Sequence, residues 1–522
     1  MDNRTGRAKD ADLTQDADIH DTRSLEDSSP KPRPLHMIHA YLSIFLLFIN
    51  YFLAQYDKFI LSYFQSSVLS SLSLTSTQYG LLSGYATGIV YALLALPIAF
   101  IADYTRSRVW ILSLTAAWWS LCVIFQSLAN NFAQIFCARL GMGIGQASVE
   151  ALSVSLISDL VGWRNVFLGE SVFYVGVYIG EAVSGQIATA FTNTGTSWRV
   201  ALRAIGITGL VVAVLLRAVL REPERRRGLV HGLSEDGERE ERSRNRETPS
   251  IRSPKLRTAR ADLSASFSYV IRMRSFWLLV LSAGFRQLAG NVFGYYMPSY
   301  LGDTYPDHPE IFSRYGIIVG VVGSVTVLSG GALTSLLWHR TKLTPIYLTA
   351  IGGMLSSLFV LLMVFSRDIA NGDQDRGIKI LYGTMSIAYL TAETWLGALF
   401  ALVALLLPPA YKTFGLAIWG SVQVLIYSSG PQIIGLALRN EETASEAYRR
   451  VTQLCLAVLI PVGYWCAGVG LLLAVPLVKR DLERDFVVGR LSRRRRVGMG
   501  MFAGVLGVVV VVLFTVSLVY QT

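Results

Sequence analysis

The chain is built around thirteen apolar blocks, each longer than twenty residues. A bilayer core about 30 Å thick needs about 20 apolar residues per helical crossing, and such runs satisfy their backbone polar groups in hydrocarbon only as helices. The blocks fall at about 38–64, 79–103, 108–129, 131–161, 164–191 and 198–220, then 275–301, 312–338, 343–366, 378–407, 410–438 and 450–478, and last 498–520. Only 16% of the residues are charged, against about 25% in ordinary soluble domains. The fold class expected is all-α integral membrane: six helices, a long polar loop, six more helices and an extra C-terminal transmembrane helix.

The positions of the charges orient these helices. The net charge of +11 does not point to nucleic acid, because the basic residues sit in alternate loops between apolar blocks, as the positive-inside rule expects. "DYTRSR" follows the second block, residues 221–274 carry fourteen Lys/Arg against nine Asp/Glu, "HRTK" follows the eighth and "KRDLERDFVVGRLSRRRR" the twelfth. The other loops differ: 65–78 and 129–133 are uncharged and "GDTYPDHPE" is acidic. The expected organisation is a disordered cytoplasmic tail at 1–35 with no cleavable signal, a six-helix half at 36–220 and a basic cytoplasmic linker at 221–274. A second half follows at 275–478, then a basic segment at 479–497 and the extra helix at 498–522. The four cysteines lie inside apolar blocks and the six histidines in tails, loops or helix ends. With no metal-ligand cluster and no phosphate-binding loop, neither an enzyme nor a cofactor is expected.

Several charged residues interrupt the apolar blocks, where each costs about 2.5–3.5 kcal/mol if it faces lipid; they are therefore candidates for a cavity. In "FCARLGMGIGQASVEALSVSLISDL", Arg139, Gln146 and Glu150 are spaced by seven and four residues, which places them within about 40° of one helix face. The glycines there imitate a dinucleotide fingerprint, but no strand precedes them; in a membrane helix they form a close-packing surface. Asp57 and Lys58 close an otherwise uncharged run on the first helix. Asp57 is the expected proton-binding or gating carboxylate with Arg139 as its switchable partner, while Lys58, 100° away, reaches toward headgroups or a lipid phosphate. Glu181 is the deeper carboxylate of the fifth helix. Arg286 is the second-half candidate for an anionic headgroup, and Glu393 either lines the same site or pairs with a buried cation. Proton coupling is thus assigned to Asp57, Arg139, Glu150 and Glu181, and substrate binding to Lys58, Gln146, Arg286 and Glu393. At the cytoplasmic end Asp103, Arg106 and Arg108 are expected to form a latch, joined by Asp159 and Glu170 with Arg164.

"AFIADYTRSRVW" resembles the loop signature Gly-x-x-x-Asp-Arg-x-x-Arg of the major facilitator superfamily, with Ala99 for the first Gly and Tyr104 for the first Arg; the equivalent place in the second half keeps Gly330 and Gly331 but lacks the Asp. "ARLGMGIGQAS", "SVFYVGVYIGEAVSGQIA" and "WRVALRAIGITGLVVAVLLRAVLREPERRRG" resemble the Spinster branch, over residues 50–230 most clearly. Two departures stand out: Gln146 replaces that branch's Glu, and Lys58 replaces an Arg, losing its planar fork. The resemblance implies the major facilitator fold, two six-helix halves rocking about a midplane site. It also implies a monomeric secondary transporter of lysophospholipids or sphingoid-type lipids, coupled to protons, in a lysosomal, endosomal or plasma membrane. Two alternatives stay open: a proton-coupled permease for a small organic anion or sugar, and a non-transporting receptor or sensor on the same fold.

Overall fold

The computed structural model describes residues 34–161, 165–223, 270, 272–308, 310–407, 412–442, 445–483 and the isolated positions 501, 504, 508, 511 and 512. The extra helix expected at 498–520, the linker beyond Pro223 and Arg164 therefore lie outside, or almost wholly outside, the described residues. The chain divides into two units, 1–43 and 44–522. In the first, Ser43 donates to the carbonyl of His39 across one helical turn, 2.8 Å. The second holds the rest of the fold.

All regular structure among the described residues is helical. Among the described residues, eleven helices are long and apolar enough to cross a membrane: α1 (Ile38–Tyr63), α2 (Ser76–Thr105), α3 (Arg108–Leu128), α4 (Phe132–Leu160), α5 (Val166–Phe191), α6 (Trp198–Val219), α7 (Arg274–Thr304), α8 (Ile311–Leu337), α9 (Thr344–Val364), α10 (Gln374–Leu406) and α12 (Glu446–Leu482). The block at 410–438 differs from the expected single span. It forms two pieces, Lys412–Tyr427 and Ser429–Ala437, interrupted at Ser428; together they are α11 here. Helix starts carry the capping residues that satisfy orphan N–H groups: a capping box of Thr75 and Gln78 on α2, Asn131 on α4, Asp373 on α10 and Ser445 on α12.

The outer surface is apolar. Val214, Leu336 and Leu473 are each more than half exposed, as lipid-facing positions must be. The polar residues point inward, and four helices break where they face the interior: α2 at Gly84, α4 at Ala147–Ser148, α10 at Glu393–Trp395 and α11 at Ser428. Irregular backbone at membrane depth is tolerated only inside protein or against a cavity. α8 adds a π-helical turn, Val319–Gly323, packed on α5 with Gly323 against the Tyr178 ring.

Candidate functional site

Two adjoining cavities of about 70 and 80 Å³ lie in the interior, and Gln55, Lys58 and Gln287 line both. The four helix breaks converge on them: Gly84, Gln146 and Ser428 border the larger cavity, and Glu393 and Trp395 the smaller. The broken backbone thus opens the space in which the charged side chains sit.

The larger cavity gathers the polar stripe of α4. Arg139, Gln146 and Glu150 all line it, as their helical spacing predicts. Glu150 accepts hydrogen bonds from Tyr174 at 2.9 Å and Tyr51 at 3.4 Å. Arg139 is buried; it donates to Gln126 Oε1 at 3.2 Å and to the Leu82 carbonyl at 3.3 Å. Its Nη2 is buried without a partner. Asp57 is fully buried, lines neither cavity, and both its oxygens lack a hydrogen-bond partner among the described residues. Arg139 is the cation whose charge reaches it, yet the direct Asp57–Arg139 pair expected from sequence is not formed in this conformation. Gln126 on α3, which the sequence reading missed, holds the guanidinium instead.

The smaller cavity is bounded by Arg286, Glu181 and Glu393. Arg286 donates to Glu393 at 2.8 Å and to the Ala392 carbonyl at 3.0 Å. Its guanidinium lies 4.3 Å from the Tyr464 ring centroid and 5.1 Å from that of Trp395, within the range of cation–π attraction. Glu393 also accepts from Tyr178 at 2.7 Å and from the Trp395 indole at 3.3 Å. Arg286 is therefore a partnered cation here, and Glu393 is its partner. Glu181 accepts from Tyr315 at 2.7 Å. Both tyrosine contacts cross between the first six and the last six helices.

Lys58 differs from the other cations. Its ammonium has no hydrogen bond or ion pair among the described residues; it sits 5.0, 5.5 and 6.0 Å from the ring centroids of Tyr427, Phe59 and Tyr295. It points into the space shared by the cavities rather than toward headgroups at the membrane surface, because the 100° step from Asp57 turns it onto the interior face of α1.

Both ends of the bundle are tied. At the basic end, Asp103 accepts from the backbone N–H of Phe414 at 3.0 Å. Arg108 is buried and donates to Asp159 at 2.7 Å, Glu222 at 2.6 Å and Ser155 Oγ at 2.8 Å. Lys412 reaches across from α11 to Asp159 and Ser158, both at 3.1 Å, and Thr413 pairs with Ser155 at 2.9 Å. Arg106, expected here, is exposed at the C-cap of α2 in a left-handed conformation and has no ion pair among the described residues. Glu170 is buried close by, with neither oxygen hydrogen-bonded. Lys412 was missed in the sequence because it belongs to no acidic–basic motif. At the opposite end the ties are uncharged: Thr77 to the Gly435 carbonyl at 3.4 Å, Tyr296 to the Pro431 carbonyl at 3.0 Å, Gln65 to Tyr448 at 3.0 Å, and Gln186 with Ser313 at 2.8 Å.

The family profile of the Major Facilitator Superfamily matches residues 47–431. Among curated proteins, the chain is similar to Protein spinster of Drosophila melanogaster, 25% identical over 60% of this chain and 48% of that one. It is also similar to a sphingosine-1-phosphate transporter of Danio rerio, 24% identical over 52% of each. The match thus spans about half the length of these relatives. Among solved structures, a bacterial homolog of the human lysosomal transporter Spinster, in an inward-facing and unoccupied conformation, aligns with a TM-score of 0.57 at 19% identity, covering 87% of this chain and 98% of that one.

Proposed function

The chain belongs to the Major Facilitator Superfamily, as a Spinster-like transporter, and from that premise we propose that it carries an anionic amphiphile, a lysophospholipid or sphingoid phosphate, by proton-coupled alternating access. The observation that carries this reading is Lys58. An ammonium left without an ion pair, shared by two cavities and ringed by three aromatic side chains, suits a phosphate with an apolar body beside it. Arg286 is matched by Glu393 and leaves Lys58 as the site's available cation among those lining the cavities in this conformation, apart from the half-partnered Arg139.

Asp57 supports the proton step. A fully buried carboxylate with no hydrogen bond is expensive to keep ionised. Arg139, with Nη2 unpartnered and its other nitrogens on Gln126 and Leu82, can swing to Asp57 once the proton leaves. In this reading Glu150 and Glu181, each held by tyrosines, set the charge that Lys58 senses, and Gln146 contributes its amide to the substrate. The basic end faces the cytoplasm, following the positive-inside rule.

A second reading is favoured by the volumes. Cavities of about 70 and 80 Å³ hold on the order of five water-sized probes each, at roughly 10–15 Å³ per water. A small organic anion or sugar needs less parting of the helices than a lipid does. Uptake of labelled lysophosphatidylcholine and of labelled sphingosine-1-phosphate into proteoliposomes, with and without an imposed pH gradient, separates the two. Gradient-driven uptake that collapses in Lys58→Ala and loses its gradient dependence in Asp57→Asn supports the lipid carrier. Absence of uptake of both lipids by folded protein refutes it in favour of the small-solute permease.

A further inference from the structure

The proton-coupled site proposed above leaves one buried carboxylate unused. Glu170, on the second turn of α5, is fully buried and neither of its oxygens has a hydrogen-bond partner among the described residues. The helix faces that cover its neighbourhood come from the other half of the chain. Gly397 of α10 packs so closely that a Cβ there would lie 2.4 Å from the Cα and N of Ser171, and a Cβ at Gly331 of α8 would lie 2.7 Å from the Phe167 carbonyl. The Phe167 ring lies tilted against Trp338, the residue that caps α8, with centroids 4.6 Å apart. When the halves part at the basic end, this stretch of α5 is what they uncover.

The charges that reach Glu170 connect it to both sites. Lys412 of α11 and Glu150 of α4 act on it electrostatically, and so does Tyr174, one turn along α5. Tyr174 donates to Glu150 at the cavity, while Lys412 binds Asp159 in the basic-end tie. Glu170 thus stands between the cavity carboxylate and the ammonium that crosses the halves.

We propose that Glu170 is a proton-operated gate: it takes up a proton from solvent as the basic end closes and returns it to solvent as that end opens. In the closed form a neutral acid is compatible with a dry site lacking hydrogen-bond donors. In the open form water reaches the carboxylate, which ionises and competes with Asp159 for Lys412. Closing is then favoured at low pH and opening at high pH. This inference rests on the alternating-access part of the reading above, not on the substrate or on Asp57.

The test uses full-length protein in nanodiscs without added substrate. Spin labels are placed at Thr105→Cys and Lys342→Cys, exposed positions on the two halves at the basic end, with Cys122, Cys137, Cys455 and Cys466 replaced by alanine. The distance distribution is followed from pH 5 to 8. One coupled proton changes the open-to-closed ratio by up to about tenfold per pH unit. We expect the distance to lengthen with pH in the parent, to stay short at every pH in Glu170→Gln, and to lengthen with a moved midpoint in Glu170→Asp. A parent without pH dependence, a Glu170→Gln variant with the parent's profile, or, should that variant not fold, a Glu170→Asp variant with no pH dependence, would each overturn the proposal.

Discussion

Replacing Gly397 by alanine adds one methyl group where α10 packs tightly on α5. The new Cβ would stand 2.4 Å from both Cα and N of Ser171. Those are backbone atoms, so no side-chain rotation relieves the overlap; the two helices must separate by roughly 1 Å to restore ordinary contact. Overpacking of this kind costs about 1–3 kcal/mol. The penalty falls only on the form with the basic end closed, since α5 and α10 belong to opposite halves and part on opening. The helix-propensity gain of Gly→Ala, about 1 kcal/mol, is present in both forms and cancels. The closed-to-open ratio should therefore fall by about 5- to 150-fold. The spin-label pair at 105 and 342, read at one pH, measures this directly as a gain in the long-distance population. Gly383→Ala is the matched control, a helical glycine of α10 with nothing within 4 Å of an added Cβ. If Gly397→Ala leaves the distribution unchanged, or Gly383→Ala shifts it equally, the closed-end geometry described here is wrong.

Three further outcomes follow from the same contacts. Gly80→Val should act in the opposite sense, because a Cβ at 80 would lie 2.9 Å from the Pro431 carbonyl oxygen and 3.1 Å from Gly435 Cα; a label pair across the opposite end should report its opening. Lys412→Met should weaken the basic-end tie by about 1.5–3 kcal/mol, the range for hydrogen bonds to charged groups, since Asp159 keeps Arg108; the effect should be nearly independent of salt because the pair is buried, and is read from the same distance distribution at low and high ionic strength. Arg286→Lys should lower the thermal unfolding temperature although charge is conserved, because the guanidinium bonds Glu393 and Ala392 while stacking on Tyr464 and Trp395, which an ammonium cannot reproduce. An unchanged unfolding temperature would show that the stacking contributes little.

Much of the site was legible as residue types and little of it as pairs. Helical spacing placed Arg139, Gln146 and Glu150 on one face, and all three line one cavity. It could not supply the partner of Arg139, because Gln126 lies on another helix and a lone glutamine carries no signal. Arg286 and Glu393, more than a hundred residues apart, were each visible as a costly charge in an apolar block. Their pairing required the break in α10 that turns Glu393 inward. Asp103 and Arg108 stood out through a loop pattern, whereas Lys412, which completes the tie, follows no pattern at all. The Arg-Glu-Pro stretch after α6 acquired its reason only in three dimensions: Glu222 accepts from both the Arg108 side chain and the Val109 backbone.

What the sequence by itself determined was the run of apolar helices among the described residues and the sign of charge between them. Both follow from local terms: the hydrocarbon thickness sets the length of each apolar block, and lysine and arginine are costly to carry across. The tertiary structure decided which buried charges are matched and which are left over. Arg286 is neutralised, Arg139 is half-held, and Lys58, Asp57 and Glu170 have no hydrogen bond among the described residues. In a low-dielectric interior the state of a charge depends on atoms within a few ångströms, and those atoms come from helices that the chain brings together only on folding.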